Sequence, residues 1–229
     1  IKDAVDMTLF FLDNPKLNDG SVGVSYGSSS GSSDAMYPIA RFLMGDTKAR
    51  VEPTTYLKMM SHTCAANISL FFQLTGRIIP TSSACTSGSQ GIGYGYESIK
   101  LGKADVMIVG GAEELHLTQV LVFDRLFAAS TRNHEPTLTP RPFDKDRDGL
   151  VLGEGAATLI LEDWEHAKAR NATIYAELVG FGTNSDGTHI TRPNAEGMAR
   201  SMELSLQDAQ LSAESIGYIN AHATATEWG

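Results

Sequence analysis

The run Ala104-Asp105-Val106-Met107-Ile108-Val109-Gly110-Gly111 sets four large apolar residues in a row and closes on two glycines. A strand with one face in water alternates apolar and polar residues, whereas an unbroken apolar run suits a parallel strand covered on both faces. Upstream, Gly88–Leu101 carries Ile92, Tyr96 and Ile99 at helical spacing and ends on Lys100-Leu101-Gly102-Lys103, a cationic last turn with a stopping glycine. Ahead of that helix, Ile78–Ala84 reads as a strand that feeds directly into Cys85. Strand, helix and buried strand in this order predict an α/β layered fold with a largely parallel or mixed sheet, its reactive residues at strand ends.

Further out the alternation continues. Ser21–Tyr26 reads as a short strand followed by Gly27-Ser28-Ser29-Ser30-Gly31-Ser32-Ser33, too short for a linker and better taken as a tight loop within one domain. Ala35–Leu43 is amphipathic, Met59–Leu74 reads as a helix, and Asp3–Leu12 as another, ended by Asp13-Asn14-Pro15. Downstream, Gly155–Glu162 and Thr173–Gly182 are expected strands around a helix over Asp163–Arg170. Ala195–Ala209 is an expected helix, and Gly217–His222 a strand ending at a histidine.

Composition excludes several functions. The 229 residues are 42% hydrophobic, enough for a substantial core without disulfides or a structural metal. No apolar segment approaches the roughly 20 residues of a membrane span, so none is expected. A formal net charge of −9 with no Lys/Arg run argues against a nucleic-acid surface. Two cysteines, far apart and without Cys-x-x-Cys spacing, predict neither a disulfide framework nor a zinc site, and point to a reducing, cytoplasmic setting. Gly91-Ile92-Gly93-Tyr94-Gly95 lies inside a helix and lacks the third glycine of a dinucleotide fingerprint, so its glycines are expected to let the helix pack closely. Asp144-Lys145-Asp146-Arg147-Asp148-Gly149 opens like a calcium loop, but position 12 falls on Gly155, and the better reading is a turn whose Asp and Arg side chains brace a loop.

The sharpest local feature is Thr81-Ser82-Ser83-Ala84-Cys85-Thr86-Ser87-Gly88. A thiolate at the start of a helix is favoured by unpaired N–H groups and the macrodipole, and small neighbours leave room for a substrate. The octapeptide alone fits a buried structural cysteine equally well. Cys64, in the middle of a helix, reads as packing. Of six histidines, His222 differs because it ends a strand and opens Ala223-Thr224-Ala225-Thr226; the other five read as surface or structural.

Cys85 and His222 together with the text between them shift the weight. Ser83-Ala84-Cys85-Thr86-Ser87-Gly88, Leu101–Glu114, Ala129-Ser130-Thr131, Arg141–Gly149, Gly153-Glu154-Gly155-Ala156, Glu165–Arg170 and Ile219-Asn220-Ala221-His222 closely resemble, in order and spacing, the β-ketoacyl-acyl-carrier-protein synthases. The resemblance covers nearly the whole chain and implies a thiolase-like fold, with 1–170 as the N-terminal half carrying the nucleophile and 171–229 as the beginning of the C-terminal half. It implies that Cys85 accepts the acyl chain and that His222 is the first of two active-site histidines, which stabilises the enolate left when malonyl carrier protein loses CO2. It further implies that Thr224 and Thr226 bind the pantetheine arm and that Met60 and Phe123 line the acyl pocket. The implied partner is an acyl carrier protein, which brings its own phosphopantetheine, so no free cofactor or metal is expected. A homodimer or a ketosynthase-like heterodimer is implied, in fatty-acid, polyketide or polyene synthesis. Glu113-Glu114 leans slightly toward the fatty-acid type that accepts unsaturated chains. A non-catalytic partner subunit and a thiolase-like acyltransferase are the competing readings; retention of Cys85 counts against the first, the His-x-Thr-x-Thr context against the second.

Two departures stand out. The family's His-Gly-Thr reads His222-Ala223-Thr224 here, and an alanine at positive φ is strained. The family's Lys, second His and Gly-Phe-Gly loop match nothing before Gly229, and its opening elements precede Ile1, so the 229 residues are expected to be a portion of a longer synthase.

Overall fold

A computed structural model describes residues 17–189 and 191–227. The expected helix over Asp3–Leu12 lies outside the described residues. Strands β1 (Val22–Gly27), β2 (Ile78–Thr81), β3 (Val106–Glu113) and β4 (Gly155–Glu162) form one sheet in the order β2-β1-β3-β4. β1 runs parallel to both β2 and β3, and β4 is antiparallel to β3, with Val24 opposite Ile108 and Ile108 opposite Ile160. The mixed sheet expected from the sequence is therefore present, and β1 and β3, its two central strands, hold the buried run.

Period-two alternation sorts that run between two layers. Val22, Val24 and Tyr26 of β1 and Val106 and Ile108 of β3 pack with Ala65, Cys64, Ile68 and Phe72 of α3 (Thr63–Phe72). Met107 and Val109 point the other way and pack with Ile92 and Ile99 of α4 (Ser87–Lys100). Each such aliphatic side chain, fully buried, contributes about 1.5–3 kcal/mol. On the α4 side β1 offers only Gly23, Ser25 and Gly27, because the helix comes close: a Cβ on Gly91 would lie 2.8 Å from Gly110 O, and one on Gly27 2.4 Å from the Ser87 backbone. Gly91, Gly93 and Gly95 are all buried, the close packing expected of them.

Two compact units make up the chain, one through Glu114 plus Glu154–Leu178, the other Leu115–Gly153 plus Val179–Gly229. The first holds the sheet, α1 (Met36–Leu43), α2 (Pro53–Lys58), α3, α4 and α6 (Trp164–Ala169). The second holds α5 (Leu117–Arg125) and α7 (Ala195–Ala209). The helix expected over Met59–Leu74 starts later, at Thr63, since the 58–60 turn packs against the Gly/Ser loop: Ser32 N–H donates to Lys58 O at 2.8 Å. α5 escaped the sequence reading; His116 caps it, Nδ1 accepting from Thr118 N–H at 3.2 Å.

The strands expected over Thr173–Gly182 and Gly217–His222 are not formed. Alternation makes a strand only where a neighbouring strand takes its backbone groups, and neither segment has a ladder partner among the described residues. Phe181 N–H instead donates to Asp208 Oδ2 at 3.1 Å, and Gly180 and Gly182 lie against α7, where Cβ atoms would sit 2.4 and 2.2 Å from Ser205 O and Ser201 O. No described helix is long and apolar enough to cross a membrane.

Candidate active site

Cys85 sits in the five-residue turn that joins β2 to α4, and it is exposed. The turn is tied to the helix it introduces. Thr81 Oγ1 donates to Ser87 O at 2.7 Å, Ser83 N–H donates to Ser87 Oγ at 2.8 Å, and Ser87 Oγ donates to Ala84 O at 2.6 Å. Ala84, immediately before the cysteine, has φ +52°, a left-handed conformation that costs a residue with a Cβ about 1–2 kcal/mol. The hydroxyl cluster holds that elbow, and the elbow presents Cys85 outward at the start of a 14-residue helix. Strain of this kind collects at functional positions.

The Gly/Ser loop braces the elbow from the side. Ser82 Oγ donates to Ser29 O at 3.3 Å and Ser29 Oγ to Ala84 O at 3.4 Å. The loop is held in turn by the acidic pair that ends β3: Ser29 N–H donates to Glu113 Oε2 at 2.7 Å, and Ser33 N–H donates to Glu114 Oε1. Glu113 and Glu114 thus anchor the loop beside the Cys85 turn, a role the sequence reading did not assign. Cys64 is half-buried against the core, at the wall of a cleft of about 560 Å³ that Glu113 and Glu114 also line, and burial pushes its thiol pKa up. It is packing, as the sequence reading has it. Met60, in the same unit, is half-buried in the turn between α2 and α3, where its carbonyl accepts from Thr63 N–H at 3.1 Å.

His222 belongs to the other unit and is exposed. Past it the chain takes two left-handed alanines, Ala223 at φ +44° and Ala225 at φ +61°, around Thr224. The strain expected at Ala223 is therefore real. Thr224 Oγ1 and Thr226 Oγ1 lie 3.0 Å apart, sharing a hydrogen bond, while Ala225 is fully buried. The Asp144–Gly149 turn braces this segment, as its side chains led one to expect. Asp146 N–H closes the turn on Asp144 Oδ1 at 2.8 Å, Gly149 N–H donates to Ala225 O at 3.0 Å, and Arg147 Nε donates to Thr226 O at 2.8 Å. A pocket of about 350 Å³ opens between the two segments. Phe123, in α5 of the same unit, is half-buried, and its carbonyl accepts from Ala128 N–H at 2.9 Å. The structure thus gathers His222, Thr224 and Thr226 on one loop, and places Cys85 and Met60 in one unit and Phe123 in the other.

Residues 12–167 match the family model for the beta-ketoacyl synthase N-terminal domain. The chain belongs to the beta-ketoacyl synthase family. Residues 175–229 match the C-terminal domain of the same synthases. Among curated relatives, the 3-oxoacyl-[acyl-carrier-protein] synthase 2 of Vibrio cholerae is 41% identical over 215 residues, 93% of this chain and 52% of that protein. The putative mitochondrial 3-oxoacyl-[acyl-carrier-protein] synthase of Schizosaccharomyces pombe is 42% identical over 213 residues, 91% of this chain and 50% of that protein. The chain spans about half the length of the curated relatives it matches. A crystal structure of a beta-ketoacyl synthase from Burkholderia phymatum superposes with a TM-score of 0.93 at 58% identity, covering 96% of this chain and 54% of that one. A ketosynthase solved with its type II polyketide acyl-carrier protein and bound hexaketide gives 0.81 at 29% identity, covering 94% and 55%. The thiolase-like fold inferred from the motifs is the fold of these ketosynthases.

Proposed function

We propose that the protein is a ketosynthase that lengthens an acyl chain by decarboxylative Claisen condensation with malonyl thioester on an acyl carrier protein. The observation that carries this reading is Cys85 on a strained strand-to-helix elbow, exposed at a helix N-terminus. The Cys85 thiolate attacks the acyl thioester and the carrier's pantetheine thiol leaves. Malonyl carrier protein then loses CO2, its enolate carbon attacks the acyl-cysteine carbonyl, and the thiolate departs as the new carbon–carbon bond closes. The Cys85 backbone N–H serves the oxyanion of the first step. His222 donates to the malonyl thioester carbonyl as it gains negative charge, the kind of contact that contributes a few kcal/mol. Thr224 and Thr226 take the pantetheine arm, Met60 and Phe123 the acyl chain. The division into halves at 1–170 and 171–229 belongs to this reading, as do a homodimeric or ketosynthase-like heterodimeric assembly, a cytoplasmic setting, a fatty-acid or polyketide pathway, and phosphopantetheine arriving on the partner rather than as a resident cofactor. Support comes from the family membership, and from relatives named as synthases of this type.

The test is direct. Incubated with an acyl-carrier-protein thioester, the full-length protein is expected to gain the acyl mass at Cys85 and to release it as a condensed product once the malonyl form is added. Cys85→Ala abolishes loading and Cys64→Ala leaves it intact; equal loss from both sinks the assignment. Absence of any adduct on the intact protein would favour a non-catalytic partner subunit.

A further inference from the structure

We infer that Arg147 is a positioning residue for His222, acting through the backbone of the loop that carries the histidine; the inference rests on the condensing activity proposed above. His222 stands on neither a helix nor a strand, so nothing in regular secondary structure fixes its direction. The segment that follows it is strained twice, at Ala223 and Ala225, and left-handed conformations at residues with a Cβ persist only where surrounding contacts hold them. The carbonyls of Ala225, Thr226 and Glu227 are all held from one turn. Arg147 Nε donates to Thr226 O at 2.8 Å and Nη2 to Glu227 O at 3.1 Å, while Nη1 donates back to Asp144 O at 3.1 Å. A planar guanidinium thus ties together carbonyls of two segments that are about eighty residues apart in sequence, a task its rigid fork suits and a flexible ammonium does not.

The base of the clamp is itself fixed. Asp148 Oδ2 accepts from Ser130 Oγ at 2.8 Å and from Thr131 N–H at 3.2 Å, which holds the turn against the chain after α5. Gly149, at φ +133°, seats so closely that a Cβ would meet Ala128 O at 2.6 Å, and from there its N–H reaches Ala225 O. Remove the fork and the 226 and 227 carbonyls lose their donors, the left-handed alanines lose part of what holds them, and the imidazole loses its aim. A misplacement of about 1 Å in a reacting group costs up to about 100-fold in rate.

The experiment uses the full-length protein with Arg147→Ala and Arg147→Lys, each confirmed folded by thermal unfolding. Acyl loading at Cys85 is expected to stay within about 2-fold of wild type, while kcat for condensation falls about 10- to 100-fold with KM for the malonyl thioester little changed. In a His222→Ala background, Arg147→Ala is expected to add less than about 2-fold. Amide hydrogen exchange over 222–227, which needs no activity, is expected to rise at least about tenfold in Arg147→Ala while the β1–β3 core stays protected. Condensation unchanged in the folded variants, loading lost in step with condensation, or an additive loss beside His222→Ala would each overturn the positioning role. Unchanged exchange over 222–227 would overturn the clamp. A wild-type protein that neither loads nor condenses refutes the proposed function alone, and the exchange measurement still decides whether Arg147 holds the loop.

Discussion

Ala223 concentrates the residue-scale argument. The family's glycine at this position accepts a left-handed backbone without penalty; the alanine here adopts φ +44° all the same. Its Cβ costs about 1–2 kcal/mol in that region, and the extra freedom glycine has in the unfolded chain takes back about 0.5–1 kcal/mol. Ala223→Gly is therefore expected to stabilise the protein by about 0.5–1 kcal/mol, read as a rise in the urea midpoint at unchanged slope. A lowered midpoint would mean that the methyl group packs usefully. The sequence exposed the substitution at once, but not the sign of φ. That sign depends on what pulls on the carbonyls of Ala225 and Thr226, and the groups that pull, Gly149 and Arg147, lie more than seventy residues away. Cys85 was legible for a different reason: its flanking small and hydroxyl residues are local, and the hydrogen bonds that form the elbow run between residues 81 and 87.

At the scale of elements, α4 over β1 and β3 sets the geometry of the Cys85 turn. The helix start can stand at the sheet's end because β1 and β3 face it with glycine and serine, and because α4 answers with glycines of its own. Gly91→Ala would drive a Cβ to 2.8 Å from Gly110 O and 3.1 Å from Ser25 O, backbone atoms that cannot step aside. We expect a loss of about 1–3 kcal/mol, the usual cost of overpacking, with slower loading at Cys85 as the helix lifts. A variant as stable as wild type and fully active would show that the helix–sheet spacing has slack. The helix and both strands were readable from spacing and from the continuous run at Val106–Val109. The failures at Thr173–Gly182 and Gly217–His222 teach the complementary lesson: alternation describes which side chains could share a face, and pairing needs a neighbour.

Across the whole molecule, charge sets the response to acid. Glu162, at the end of β4, is held below the usual carboxylate range. Burial pushes its pKa up, but hydrogen bonds from Arg170, Nε at 2.7 Å and Nη2 at 2.6 Å, together with His166 at 2.5 Å, outweigh it. Asp186 is lowered first by the Thr188 N–H and then by the Asn194 N–H. A carboxylate depressed on folding stabilises fully above its unfolded value of about 4 and loses that contribution as pH falls through the folded value. Tm is therefore expected to hold from pH 7 to about 5 and to drop below about 4. Glu162→Gln should cost about 1–3 kcal/mol at pH 7, leaving Arg170 without its bidentate acceptor, and should flatten the acid limb in a pH series of thermal melts. An equally steep limb in that variant would assign the acid sensitivity elsewhere. By itself the sequence determined the layered α/β class, the turn that carries Cys85, the family, and the bracing character of Asp144–Gly149, because each is written in residue types and their order along the chain. Only the tertiary structure decided which carbonyls Arg147 clamps, what Glu113 and Glu114 hold, that Ala223 is left-handed, and which alternating segments join no strand ladder among the described residues. Those depend on groups brought together from distant parts of the chain, and spacing along a sequence carries no record of them.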